Sequence, residues 1–188
     1  MEIGMAILVV WSSPNKGGLT AASAEQVVRG IQAAGKEAKV IHLNQKKVAV
    51  CNICGDGWGS CRTKGVCAVR DDFQEIYEEF RQAEGIVLVT PVYWSDVSEN
   101  LKALLDRMRR CEPLQNRFLN GKRCLLVACA GGTGNGTIRC LENMEITMGH
   151  MGMKALDRIP VTRFSREYML DALLQAGKMF AQHHADWQ

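Results

Sequence analysis

Short apolar runs recur along the chain at 6–11, 39–43, 86–90, 124–130 and, with alternation, 155–161. The first, third and fourth are nearly continuous, as strands covered on both faces should be, and all five read as strands. Between them the apolar period changes. Ala24, Val27, Val28 and Ile31, ending at Gly35, form one set; Phe73, Ile76, Tyr77 and Phe80 a second; Val97, Leu101, Leu104, Leu105 and Met108 a third. Leu141, Met144, Met148 and Met151 follow, then Leu170, Leu173, Leu174 and Ala181. Spacings of three and four put each set on one helical face. Asp96, three residues before Glu99, forms a capping-box pattern for the third helix, and Asp71-Asp72 brings negative charge to the first turn of the second. Five strand–helix alternations require right-handed crossovers and a mostly parallel α/β sheet with helices on both faces. Pro160, which cannot donate to a ladder, suits an edge strand.

With 188 residues, 47% hydrophobic and 23% charged, the chain can bury a sizeable core and still be one domain. The expected organisation is a single domain over 1–188 with a cysteine-rich insertion at about 48–70. A net charge of +3, with Lys and Arg scattered, argues against nucleic acid or a membrane surface as the leading partner and favours anionic small molecules. Residues 1–5 carry no basic n-region and no small-residue cleavage site, so no signal peptide is read and a cytoplasmic location is expected. No apolar run approaches the ~18 residues of a membrane span. In a reducing compartment, eight cysteines read as core residues, ligands or redox groups rather than a disulfide framework.

In open α/β sheets ligands bind beyond the carboxyl ends of the strands, and three such loops stand out. After the first strand, Ser12, Pro14, Lys16, Gly17, Gly18, Leu19 and Thr20 combine hydroxyls, flexible glycines and one lysine just before a helix, a setting suited to phosphate. The loop lacks a Walker A ending and a G-x-G-x-x-G, which weakens the nucleoside-triphosphate and dinucleotide readings. After the third strand, Pro91, Val92, Tyr93, Trp94 and Ser95 set two aromatics where a flat ligand could lie. After the fourth, Ala130, Gly131, Gly132, Thr133 and Gly134 let main-chain N–H groups approach a ligand edge. Together they describe a pocket for a phosphorylated planar ring such as flavin mononucleotide (FMN).

The segment Pro91-Val92-Tyr93-Trp94, the downstream Asn100-Leu101-Lys102 and Leu105-Asp106-Arg107, and the Gly131-Gly132 loop resemble the NADPH-dependent FMN reductase family of flavodoxin-like proteins over nearly the whole chain. The resemblance implies a three-layer sandwich with a five-stranded parallel sheet in the order 2-1-3-4-5 and FMN at the switch point. It implies phosphate at Ser12 to Thr20, the isoalloxazine ring beside Pro91 to Ser95 and its pyrimidine edge near Ala130 to Gly134. It also implies a homodimer or homotetramer. The chain departs from the family at Asn15 and Leu19, where an Arg and an Asn are common, leaving Ser12, Lys16, Thr20 and backbone to meet the phosphate.

Half of the cysteines fall within 17 residues, as Cys51, Cys54, Cys61 and Cys67. Soft thiolates on short loops can converge on a metal or cluster. The iron-sulfur flavoprotein branch of the family resembles the chain here, carrying a compact cysteine motif at this place that binds a [4Fe-4S] cluster. Its spacing is tighter, with two residues rather than six between the second and third cysteines. Four readings stand: a [4Fe-4S] cluster, a structural zinc, a redox-active or reduced thiol loop, and a Cys51–Cys54 disulfide. A single C-x2-C knuckle weakens zinc. Trp58, among glycines, is read as exposed, covering a flavin or meeting another subunit. Cys111, Cys124, Cys129 and Cys140 lie in apolar helix or strand patterns and read as inert, and His42, His150, His183 and His184 receive no role.

The resulting expectation is an NAD(P)H-dependent FMN or quinone reductase-like oxidoreductase. Small molecules would donate and accept its electrons, and no dedicated acid or base is needed. A flavodoxin-like electron carrier is the alternative, against which the sequence pI of about 8.4 argues. A zinc-stabilised interaction domain without flavin is a third reading.

Overall fold

The structure is a computed structural model that describes residues 6–112 and 117–183. The segment read for a leader, residues 1–5, and His184 lie outside the described residues. Five strands, β1 (Ile7–Trp11), β2 (Ala38–His42), β3 (Gly85–Pro91), β4 (Arg123–Ala130) and β5 (Lys154–Thr162), form one parallel sheet in the order β2-β1-β3-β4-β5. The continuous apolar runs are the three inner strands, buried almost throughout, whereas β2 and β5 are half exposed. Pro160 sits on β5, at the edge.

Side-chain alternation divides the core in two. Ile7, Val9, Val87, Val89, Leu125 and Val127 pack against α1 (Leu19–Ala33) and α6 (Arg166–Gln182). On the other face, Leu8, Val10, Leu88 and Leu126 meet α3 (Phe73–Gln82), α4 (Glu99–Cys111) and α5 (Thr137–His150). A short helix, α2 (Ser60–Lys64), lies within the cysteine insertion, where no apolar period announces it. Helix α1 ends as Gly35 expects: its φ of +78° is one that glycine adopts without strain, and Lys36 N bonds back to Ile31 O at 3.3 Å. Helices α1 and α6 touch backbone to backbone at Gly30 and Gly177, where an added Cβ would lie 2.0 Å from Leu174 O and 2.3 Å from Val27 O, respectively.

One local expectation is overturned. The cap of α4 is Ser98, whose Oγ accepts from Leu101 N, while the Asp96 carboxylate accepts from Val97 N at 2.8 Å. Asp96 is held by a turn with Tyr93, and the chain stays extended through Ser98, so the helix starts two residues too late for Asp96 to cap it. Among the described residues, no helix is long and apolar enough to cross a membrane.

Candidate functional site

The sheet order reverses between β1 and β3, so the loops leaving their carboxyl ends diverge around a crevice. A chain of hydroxyls ties these loops together. Ser98 Oγ donates to Ser12 Oγ at 2.8 Å, Ser12 to Thr90 Oγ1 at 3.2 Å, and Thr90 to the Pro91 carbonyl at 3.0 Å. Ser12, Thr90 and Ser98 are buried, so the Ser12 hydroxyl is spent inside the scaffold. Pro14, Lys16 and Gly17 are exposed, Gly18 and Leu19 half-buried and Thr20 buried. Asn15 shapes the loop, its Oδ1 accepting from Gly17 N at 3.1 Å. Gly18 precedes α1 with no side-chain cap and no acid in the first turn, which leaves the helix's positive end uncompensated.

His42, at the end of β2, lies flat on Trp11, with ring centroids 3.7 Å apart and planes 2° from parallel. Its Nε2 is 2.9 Å from Ser13 O. A carbonyl only accepts, so this nitrogen carries the proton and the imidazole braces the loop.

Beyond β3, Tyr93 N donates to Asp96 O at 2.8 Å and Asp96 N to Tyr93 O at 3.0 Å, closing a two-residue turn. Its central residues, Trp94 and Ser95, have φ of +50° and +68°. Left-handed backbone at a non-glycine residue costs on the order of 1–2 kcal/mol each. The turn holds Trp94 fully exposed (101%) and Tyr93 at 38%. The glycine loop docks against it: Gly136, at φ +81°, approaches so closely that a Cβ there would lie 2.5 Å from Ser95 Oγ. Gly134, at φ +83°, is pressed similarly against Thr162 of β5. Gly131 and Gly132 differ. Neither has a left-handed φ, and a Cβ on either would meet no atom within 4 Å. No internal contact requires glycine at these two positions, and the space above them is open to a ligand edge.

The insertion between β2 and α3 is closed at its neck. Asp71 and Asp72 accept from Ala49 N at 2.8 Å and Lys47 N at 2.7 Å. Arg107 of α4 grips the same neck, pairing with both Asp71 oxygens at 2.7 and 2.9 Å and donating to Ala49 O and Val69 O. Burial alone would raise the Asp71 carboxyl, but the Arg107 guanidinium and the Ala49 and Phe73 N–H groups hold it below its ordinary range.

Beyond the neck, Cys51, Cys54, Cys61 and Cys67 line one small cavity of about 20 Å3. Arg107, Arg110 and Cys111 line it too. Arg107 is 1% exposed, and its Nε is buried without an acceptor in hydrogen-bonding geometry. Among the described residues, no three His, Cys, Asp or Glu side chains are gathered tightly enough to hold a single metal ion. Trp58 is 39% exposed and lies under two guanidinium groups, with Arg110 at 4.5 Å and Arg62 at 5.8 Å from its ring centre. Arg110 also donates to Gly57 O at 2.5 Å, fastening the loop to α4.

Arg107, Arg110 and Cys111 were not among the expected site residues, although positions i, i+3 and i+4 of one helix share a face. The other three cysteines outside the insertion are buried, and burial pushes Cys124, Cys129 and Cys140 to about 12, 11 and 12.

A profile of the NADPH-dependent FMN reductase family matches residues 5–164. The chain is 30% identical to an iron-sulfur flavoprotein of Methanosarcina thermophila over 152 residues, 79% of this chain and 75% of that one. It is 31% identical to an iron-sulfur flavoprotein of Methanocaldococcus jannaschii over 143 residues, 74% of this chain and 70% of that one. In fold it is similar to an NAD(P)H:quinone oxidoreductase from Methanothermobacter marburgensis, with a TM-score of 0.70 at 20% identity, covering 96% of this chain and 98% of that one. An archaeal flavodoxin superposes with a TM-score of 0.63 at 16% identity, over 94% of this chain and 96% of that one.

Proposed function

Because the chain belongs to the NADPH-dependent FMN reductase family and is thus an oxidoreductase, we propose that it passes electrons from NAD(P)H through FMN at the carboxyl edge of the sheet to a small acceptor such as a quinone, free flavin or metal ion. The observation that carries the placement is the Gly131-Gly132 pair, left without side chains although nothing in the protein would obstruct them. Lys16, Thr20 and the uncapped start of α1 would hold the phosphate. Pro91, Val92, Tyr93, Trp94 and Ser95 would flank the ring, with Tyr93 and Trp94 as the wall that shapes access for donor and acceptor. N–H groups of Ala130 to Gly134 would face the ring's pyrimidine edge and stabilise negative charge there. Bound FMN supplies the electron chemistry, exchanging pairs with a nicotinamide and single electrons with a one-electron partner.

Cys51, Cys54, Cys61 and Cys67 are assigned to a [4Fe-4S] cluster, which would supply one-electron transfer. Two observations favour a cluster over zinc. Four thiolates on one zinc at ~2.3 Å would crowd to ~3.8 Å from one another, whereas a cluster places each thiolate on its own iron and needs them spread around a larger body. The four thiols here are spread around the wall of one cavity. The buried Arg107, which lines that cavity and interacts with Cys67, also brings positive charge to it, which suits an anionic sulfur cage.

Anaerobic purification with flavin, iron, sulfide and zinc analysis tests both assignments, together with NAD(P)H oxidation in the presence of a quinone. Flavin, iron and sulfide with steady quinone turnover is the expected result. Flavin without iron or sulfide removes the cluster alone; colourless protein that takes up no added FMN removes the whole reading. The exposed Trp94 also fits a homodimer or homotetramer, which size-exclusion with light scattering will read directly.

A further inference from the structure

The thiol cavity has five sulfurs around it, not four. Cys111 is the last residue of α4, 44 positions after Cys67, and the packing of α4 against the insertion brings it to the same wall as Arg107 and Arg110. Cys111 (2% exposed) and Cys67 are the two buried thiols, while Cys51, Cys54 and Cys61 are half-buried, so the cavity has a floor of two cysteines and a rim of three. Burial first, then Cys67 and Cys61, push the Cys111 thiol up to about 12 against the lowering effect of the Arg107 guanidinium. Cys54 belongs to the glycine-rich stretch of the rim, backed by Gly59, where a Cβ would come within 2.9 Å of Cys54 Cβ.

Resting on the cluster reading above, we propose that Cys111 is a fifth sulfur donor of this site, completing a four-thiolate set with Cys51, Cys61 and Cys67 when Cys54 does not serve. The long Cys54–Cys61 spacer makes such a stand-in useful, because the rim position is held by a loop with left-handed backbone at Ile53, Gly55 and Gly57 rather than by a helix. When Cys111 binds, an Fe–S bond forms, the thiol proton leaves to solvent and no oxidation state changes. A coordinating thiol is deprotonated outright, so its raised affinity for a proton reduces this bond's strength without forbidding it.

Iron, acid-labile sulfide and the visible spectrum are measured on anaerobically purified wild type, Cys54→Ala, Cys111→Val and Cys54→Ala/Cys111→Val. Alanine offers no donor at the rim, and valine keeps the apolar volume on the floor. Far-UV circular dichroism and FMN content report folding. The expected pattern is that each single variant keeps most of the iron and the double variant loses it while still binding FMN. If Cys54→Ala alone is as poor in iron as the double variant, or if the double variant keeps its iron, Cys111 is not a donor. Wild type without iron or sulfide removes the cluster reading itself, a result distinct from iron-bearing wild type beside iron-free Cys54→Ala.

Discussion

At the scale of single residues, the four glycines after β4 perform two different tasks, and substitution should separate them. Gly134 and Gly136 have left-handed φ and lie against Thr162 and Ser95, so they serve the protein's own geometry. Gly131 and Gly132 meet nothing within 4 Å and need no special φ. Gly131→Ala should therefore leave the thermal midpoint where it is and weaken FMN binding by about tenfold, the equivalent of ~1.4 kcal/mol. Gly136→Ala should lower both, since strain and overpacking together cost about 1–3 kcal/mol. Fluorescence titration of FMN beside thermal unfolding reads the contrast, and equal loss of stability in the two variants would refute it. Arg107 presents the opposite case, a large side chain with no freedom. Arg107→Met strands the Asp71 carboxylate, 11% exposed, without its partner. Because the carboxylate keeps its Ala49 and Phe73 N–H donors, the cost should fall below the roughly 3–5 kcal/mol of a fully buried pair broken from one side, and hydrogen exchange across residues 50–68 will read it.

At the scale of elements, the sheet and its five flanking helices were legible because burial imposes a period. A strand covered on both faces has to read as an apolar run, and β1, β3 and β4 do. The three loops were legible through composition, since hydroxyls, adjacent aromatics and clustered glycines are unusual at strand ends. The cap of α4 was misread because Asp96 has two local uses, and the Tyr93–Asp96 turn claims it first. The hydroxyl chain through Ser12, Thr90 and Ser98 and the arrival of Cys111 at the cysteine cavity depend on contacts 8 to 86 positions apart, which no local pattern encodes. The closeness of α1 and α6 belongs to the same class. Gly30 and Gly177 look like ordinary helix-weakening glycines, yet each faces the other helix's backbone within 2.3 Å of an added Cβ. Backbone cannot rotate aside as a side chain can, so Gly30→Ala or Gly177→Ala must push the helices apart. Each should destabilise the fold by about 1–3 kcal/mol or more, whereas Gly35→Ala, with open space around it, should carry only the smaller cost of its left-handed φ. Chemical denaturation of the three variants will rank them.

At the scale of the whole molecule, the insertion is fastened to the sheet chiefly by charge and hydrogen bonds. It lends Cys67 to the buried core, with Val48, Cys61 and Val69 packed at its margin, while its neck is held by Asp71, Asp72 and Arg107. The two parts should therefore respond differently to acid. Asp71 binds its proton more weakly in the fold than the ordinary value of 3.8. Its stabilising share is thus complete at pH above that value and is lost as pH falls through the still lower folded one. Hydrogen exchange across residues 50–68 should accelerate in that acid window while β3 and β4 stay protected, because local opening follows the weakest set of contacts. Asp71→Asn removes the titrating group and the charge together, so its insertion should exchange fast already at neutral pH and show little further change on acidification. Its iron should be lost at neutral pH as well, with FMN retained, since the flavin loops lie at the carboxyl ends of β1, β3 and β4 and not on the insertion. Simultaneous loss of protection in the insertion and the inner strands, in wild type and variant alike, would show instead that the neck does not separate them.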